Sequence, residues 1–257
     1  MILIKLGGSV ITDKSSYRTF NGRQVFRLCE EIKASGKDVM IVHGAGSFGH
    51  VVAKEFNLRD GHVSDGQIPG VVKVSHDMRD LNRMVMDELI DAGLNVISIP
   101  TGACFELEDG EMIGSNDVLK GYVELGMIPV MFGDIVLDRM KGFNICSGDK
   151  IMEYLASVFS PEMIVFVADV DGLYDKDPKR NKDAVLIETL TDDSLSTADT
   201  GITVADVTGG VRAKMEAMLR MSSPGRDCVF VNGAVKGRLL SLLTGKDVVC
   251  TRIKRGT

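Results

Sequence analysis

Short apolar runs rich in β-branched residues alternate along the chain with longer stretches whose apolar positions recur every three or four residues. The runs ILIKL, DVMIVH, NVISIP, IPVMFGD, EMIVFVAD, CVFVN and DVVCTRI predict strands. The clearest helical stretch runs from Val71 to Leu89, with Val71, Val74, Met78, Leu81, Val85 and Leu89 on one face. Strands alternating with helices predict an α/β fold: an open, mostly parallel sheet sandwiched by helices. Continuous apolar runs such as MIVFVA fit strands covered on both faces. Two segments break the alternation. FELEDGEMIG turns at Asp109-Gly110 and DIVLDRMKGFNIC near Lys141-Gly142, which predicts two β-hairpins at a sheet edge. A helix end near Ser160-Pro161 divides the single domain of 1–257 into two lobes, 1–160 and 161–257, sharing one sheet.

Composition narrows the partners. With 257 residues, 44% of them hydrophobic, the chain can bury a sizeable core. A net charge of −6 argues against bulk binding to nucleic acid or to an acidic membrane surface, and leaves room for a local basic pocket. Five dispersed cysteines (Cys29, Cys104, Cys146, Cys228 and Cys250) suggest neither a disulfide framework nor a zinc pair, so they read as reduced core residues. No apolar run is long enough to span a bilayer, and ILIKL is too short for the core of a signal sequence, so a cytoplasmic location is expected.

The chemistry concentrates at strand ends. DVMIVHGAGSFGH contains the dinucleotide pattern G-x-G-x-x-G at Gly44, Gly46 and Gly49, but a second strand ending in an acid does not follow, only the polar loop NLRDGHVSDGQIPG. A P-loop is excluded as well, because His50 stands where its lysine belongs. What survives is the physics common to both motifs: small residues that let backbone N–H groups approach an anion at a helix N-terminus. His50 then sits where it can donate to a phosphate oxygen. The first strand ends in a similar way. Lys5 interrupts its aliphatics, Gly7, Gly8 and Ser9 form a second backbone nest, and Lys14 follows. CSGDK places Gly148 and Asp149 at a helix start, where Asp149 can serve as a cap. VFVADVDGLYDKDPKRN carries Asp169, Asp171, Tyr174 and Asp177 without matching an EF-hand. DVTGGVRAK places Lys214 in the first turn of a helix, against the dipole, a cost that a bound anion offsets.

Taken together, K-x-G-G-S, G-x-G-S-F-G-H, S-G-D, D-V-D-G-x-Y-x-x-D-P and T-G-G-x-x-x-K resemble the amino acid kinase family, and within it the isopentenyl phosphate kinases. The resemblance runs from Lys5 to Lys214. It implies phosphoryl transfer from ATP to an isoprenoid monophosphate, with magnesium and as a homodimer. By the same resemblance Lys5, Leu6, Gly7, Gly8 and Ser9 would border the transferring phosphate, and Lys14 would stabilise the transition state. Ala45, His50 and Gly148 would hold the acceptor phosphate, with Gly46 beside the ATP phosphates. Asp169, Tyr174, Gly210 and Lys214 would bind the nucleotide, and Asp149 would orient Lys5 and Lys214. Ala45 departs from a usual third glycine, and Val71 replaces an aromatic often found there. Val71, Val74, Met78, Val130, Phe132 and Ile145 are candidate walls for an apolar tail. Magnesium would bridge the ATP oxygens largely through water, with no protein ligand set. The alternatives are a fosfomycin-type phosphonate kinase, another kinase of this fold, and a non-catalytic ATP-binding or storage protein.

Overall fold

The computed structural model describes residues 1–13, 15–176, 178, 181–191, 210–223 and 225–254, apart from the side chains of 210–214. Strand β1 (Ile2–Leu6) leads through the short helix α1 (Gly8–Ile11), a small hairpin of β2 (Thr12–Asp13) and β3 (Thr19–Phe20), and helix α2 (Gly22–Ser35) to β4 (Val39–His43). Gly36 closes α2 at φ 64°, a left-handed angle that glycine adopts without a Cβ penalty. Helices α3 (Gly46–Glu55) and α4 (Ile68–Asp91) precede β5 (Val96–Ile99). Helix α4 starts earlier than its apolar stripe suggested, because Pro69 in its first turn has a φ already suited to the helix.

Helix α5 (Thr101–Cys104), β6 (Phe105–Glu108), β7 (Glu111–Gly114), α6 (Asp117–Glu124) and β8 (Ile128–Phe132) follow. Then come β9 (Asp134–Asp138), β10 (Gly142–Cys146), α7 (Gly148–Phe159) and β11 (Met163–Ala168). The chain continues through β12 (Leu173–Tyr174), β13 (Leu186–Ile187) and β14 (Thr189–Leu190) to α8 (Gly210–Met221), β15 (Asp227–Asn232), α9 (Arg238–Leu243) and β16 (Cys250–Ile253).

The main sheet runs β14-β16-β15-β11-β1-β4-β8-β5, parallel from β15 to β5, with β16 antiparallel to β15. The two predicted hairpins form, but away from the edge of this sheet. They build a separate four-stranded sheet, β10-β9-β6-β7, in which β6 and β9 meet in parallel. At the first turn Asp109 and Gly110 both take positive φ, 50° and 80°, as a tight two-residue hairpin requires.

Alternation along β1 sends Ile2, Ile4 and Leu6 to one face of the sheet, into a core shared with Leu28 of α2, Leu81 of α4 and Leu239 of α9. Leu3 points to the other face, into a core with Leu155 of α7 and Met218 of α8. Lys5, two residues on from Leu3, shares this second face. Cys29, Cys146, Cys228 and Cys250 are buried as expected, whereas Cys104, at the end of the short α5, is exposed.

Glu31 on α2 shows how helices on the first face are fastened to one another. It is buried, accepts from the backbone N–H groups of Gly237 (2.8 Å) and Leu240 (3.0 Å) at the start of α9, and pairs with Arg27. Glu31→Ala is expected to cost about 2–4 kcal/mol, because it orphans these donors and an arginine together. Urea unfolding measures this loss, and Glu31→Gln, which keeps an acceptor, should lose less.

Candidate active site

The carboxyl ends of β1, β4, β8 and β11 open on a cavity of about 250 Å³. In open α/β sheets this is where ligands bind, at the crevice between strands whose connections diverge. Part of the cavity lining is backbone and charge: Gly7, Gly8 and Ser9, then Ala45 and Gly46, then Gly148. Another part is apolar, with Ala53, Val74, Met78, Ile135 and Ile145.

Two glycine turns are pressed together at the cavity. A Cβ on Gly8 would lie 2.6 Å from the Cα of Gly46, and one on Gly44 would lie 2.7 Å from the N of Gly8. Only glycine allows backbones that close. Gly46 also takes φ +49°. Thr12 ties the turns together, donating its hydroxyl to the Gly8 carbonyl (2.7 Å) and accepting from the Ser47 N–H (3.0 Å). The strand ladder continues into the turns through Gly7 N–H to Val167 O (2.8 Å) and Gly44 N–H to Leu6 O (2.9 Å). Ala45 has an ordinary right-handed backbone, φ −82°, so its methyl is accommodated where a third glycine was expected. His50 lines the cavity one helical turn after Gly46 and is exposed.

Lys5 is 8% exposed in the middle of the sheet, and a cation there requires a partner. Its Nζ lies 2.6 Å from Asp149 Oδ1, with the Phe166 ring 5.7 Å away. Asp149 stands in the first turn of α7, where the helix dipole favours a negative charge. The cap itself is Ser147, whose hydroxyl accepts from Lys150 N–H (3.2 Å), so the capping role allowed for Asp149 falls to its neighbour. A Cβ on Gly148 would stand 3.0 Å from Lys5 Cε, so glycine there leaves the lysine its path into the cavity.

Lys5, Gly7, Gly8, Ser9, Ala45, Gly46, His50, Gly148 and Asp149, scattered in sequence, thus surround one space. Leu6 is buried in the core beneath it. Asp169 lines a second cavity, of about 480 Å³, together with Thr12, Asp13 and Asn21; Ser9 borders both cavities. Tyr174 lines neither, and pairs within the β12–β13 ribbon. Gly210 opens α8. Lys14, Asp177 and the Lys214 side chain lie outside the described residues.

Of the proposed walls, Val74, Met78 and Ile145 line the cavity. Val130 and Phe132 point into the first-face core, and Val71 packs against that core instead. The sequence reading passed over Asp134, buried at the cavity after a glycine that ends β8. Its signal was the G-D pair that closes IPVMFGD, a strand ending in glycine and acid like the others. Burial pushes the Asp134 carboxyl up to about 6, a rise opposed by Arg79 at 3.2 Å and by the Ile135 N–H at 2.8 Å.

A profile of the amino acid kinase family matches residues 1–232. The chain is 39% identical over 238 residues to the isopentenyl phosphate kinase of Thermoplasma acidophilum, covering 91% of this chain and 92% of that one. It is 35% identical to the enzyme of the same name from Methanothermobacter thermautotrophicus, over 98% of each chain. The solved product complex of the T. acidophilum enzyme superimposes with a TM-score of 0.83 at 35% identity, over 99% of this chain and all of that one. The chain belongs to the amino acid kinase family, among its isopentenyl phosphate kinases.

The contact between the turns predicts a contrast between two glycines. Gly8→Ala is expected to lower stability by about 2 kcal/mol or more, since backbone must move to admit the methyl. Gly121→Ala, in the open on α6 with nothing near a Cβ, should be neutral or stabilising by up to about 1 kcal/mol. Thermal unfolding of the two variants checks both.

Proposed function

We propose that this member of the family transfers the γ-phosphoryl group of ATP to isopentenyl phosphate, giving isopentenyl diphosphate and ADP. The observation that carries this reading is the mixed lining of one cavity: backbone of the glycine turns, Lys5 and His50 together with the apolar side chains of Val74, Met78, Ile135 and Ile145. A short hydrocarbon monophosphate matches both kinds of lining. The relatives' names support the same substrate.

Donor and acceptor both carry negative charge, so most of the catalytic problem is neutralisation and alignment. The acceptor phosphate oxygen is already ionised and attacks the γ-phosphorus in line. A new P–O bond forms as the bond to ADP breaks, and no covalent enzyme intermediate is required. In this reading Lys5 to Ser9 border the phosphoryl group in transit, with Ser9 at the boundary of the two cavities. Ala45, His50 and Gly148 hold the acceptor phosphate, and His50 donates to one of its oxygens. Gly46, Asp169, Tyr174, Gly210 and Lys214 contact the nucleotide, and Lys14 neutralises the transition state. Asp149 pairs with Lys5 and aims it, and orients Lys214. Magnesium would enter with ATP and supply charge neutralisation; among the described residues no three His, Cys, Asp or Glu side chains gather to hold a metal.

We assign acceptor binding to the lobe of 1–160 and the nucleotide to 161–257, in a cytoplasmic homodimer. No helix among the described residues is long and apolar enough to cross a membrane.

A panel of small phosphates and phosphonates with ATP and magnesium tests the substrate. Turnover is expected with isopentenyl phosphate and not with glutamate or UMP; preference for a phosphonate such as fosfomycin would overturn the assignment. His50→Ala should raise the KM for isopentenyl phosphate by about tenfold or more, the loss of a charge-assisted hydrogen bond. Lys14→Ala should lower kcat by about 10²–10³ while ATP binding changes little, as for a contact strengthened in the transition state. Equal losses in ATP affinity and kcat would remove Lys14 from that role.

A further inference from the structure

Three polar side chains form a chain that ends on the glycine turn after β4. Ser98 of β5 donates its hydroxyl to Asn82 Oδ1 (2.6 Å). The amide nitrogen of Asn82, on α4, lies 3.2 Å from His43 Nε2, and His43 Nδ1 lies 3.0 Å from the carbonyl oxygen of Gly44. The direction of every bond follows from this last one. A carbonyl only accepts, so Nδ1 carries a proton and donates. Burial holds the ring neutral, pushing the imidazole down to about 4, so Nε2 is the bare nitrogen and accepts from Asn82. Asn82 then has its oxygen left for Ser98.

This chain is held firmly. His43 is fully buried and Asn82 is 5% exposed. The imidazole stacks on Phe132, with centroids 5.3 Å apart and planes at 12°. The backbone carbonyl of His43 accepts from Gly133 N–H (3.3 Å). The ring therefore has one orientation, and the Gly44 carbonyl is drawn towards it. A trans peptide is planar, with its N–H antiparallel to its C=O. Drawing the Gly44 oxygen inward turns the N–H of Ala45 the other way, to the cavity that Ala45 lines.

We propose that the Ser98–Asn82–His43 chain is a positioning device for the acceptor phosphate: it holds the Gly44–Ala45 peptide so that the Ala45 amide donates to a phosphate oxygen. His43 never touches the substrate and acts through this peptide. The inference rests on the reading of 44–50 as the acceptor-phosphate turn.

Two substitutions separate this role from packing. Asparagine places an amide nitrogen where Nδ1 stands, whereas glutamine places one near Nε2. Both leave a void beside Phe132 and lower the unfolding temperature. His43→Gln is expected to raise the KM for isopentenyl phosphate about tenfold, one hydrogen bond's worth, while His43→Asn stays within about threefold of the parent and the KM for ATP is unchanged in both. Equal acceptor KM values in the two variants, or a parallel rise in the KM for ATP, would overturn the proposal. The tautomer is read on the unsubstituted enzyme, so it needs no variant to fold: a two-bond ¹H–¹⁵N correlation spectrum at neutral pH should show His43 neutral and protonated at Nδ1. A proton on Nε2 there would equally sink it. An unsubstituted enzyme that ignores isopentenyl phosphate would overturn the acceptor reading itself; normal turnover with the wrong tautomer would overturn this proposal alone.

Discussion

A lysine in the middle of an aliphatic strand is the constraint around which the site is arranged. Lys5 is enclosed by β4 and β11 on either side and is only 8% exposed, so its charge needs a partner within the protein. Asp149 meets it from the first turn of α7, across the face of the sheet. That pairing locks α7 to β1 and fixes where the S-G-D turn sits. Glycine at 148 suits this pairing, because a side chain there would crowd the end of the lysine. A cation satisfied by one carboxylate retains donors for a second anion, and the cavity lies on that side.

The glycine turns complete this arrangement by bringing backbone, not side chains, to the anion. Fixed amide dipoles neutralise charge without reorganising, which suits a transfer between two phosphorylated molecules. The close contact of Gly8 with Gly46, tied by Thr12, makes the two turns one structural unit. The two turns are therefore held at a set distance. Ser9 borders both cavities. Behind the turn that follows β4, α4 performs two tasks with one helix. Its apolar face supplies Val74 and Met78 to the cavity, and Asn82, one turn beyond Met78, steadies the imidazole behind that turn.

Much of this was legible in the residues. Apart from the two-residue β14, the strands of the main sheet coincide with the apolar runs, because strands covered on both faces need unbroken apolar sequence. The glycine turns and Lys5 announced themselves by chemistry out of keeping with their neighbours. Other features were not visible. The two hairpins were read correctly as hairpins but placed on the wrong sheet, since local turn chemistry says nothing of which edge a ribbon will join. Val130 and Phe132 were offered as walls of the chamber; they share a core with Val74 and Met78 without lining the cavity, because strand periodicity states which residues share a side and not which of them reach the cavity. His43 stood in no motif, as its partners Asn82 and Ser98 are distant in the chain.

The sequence by itself determined the α/β class, the strand-end glycines, and the kinds of group that would face an anion, since each follows from local backbone freedom or from a residue's own charge. The tertiary structure decided how those groups meet: it seats Lys5 on Asp149, as the family resemblance implied, and it alone revealed that Gly8 rests on Gly46 and that an imidazole behind the turn is held by an asparagine from another helix. These are contacts between segments far apart in the chain, and they depend on close packing that no local pattern of residues encodes.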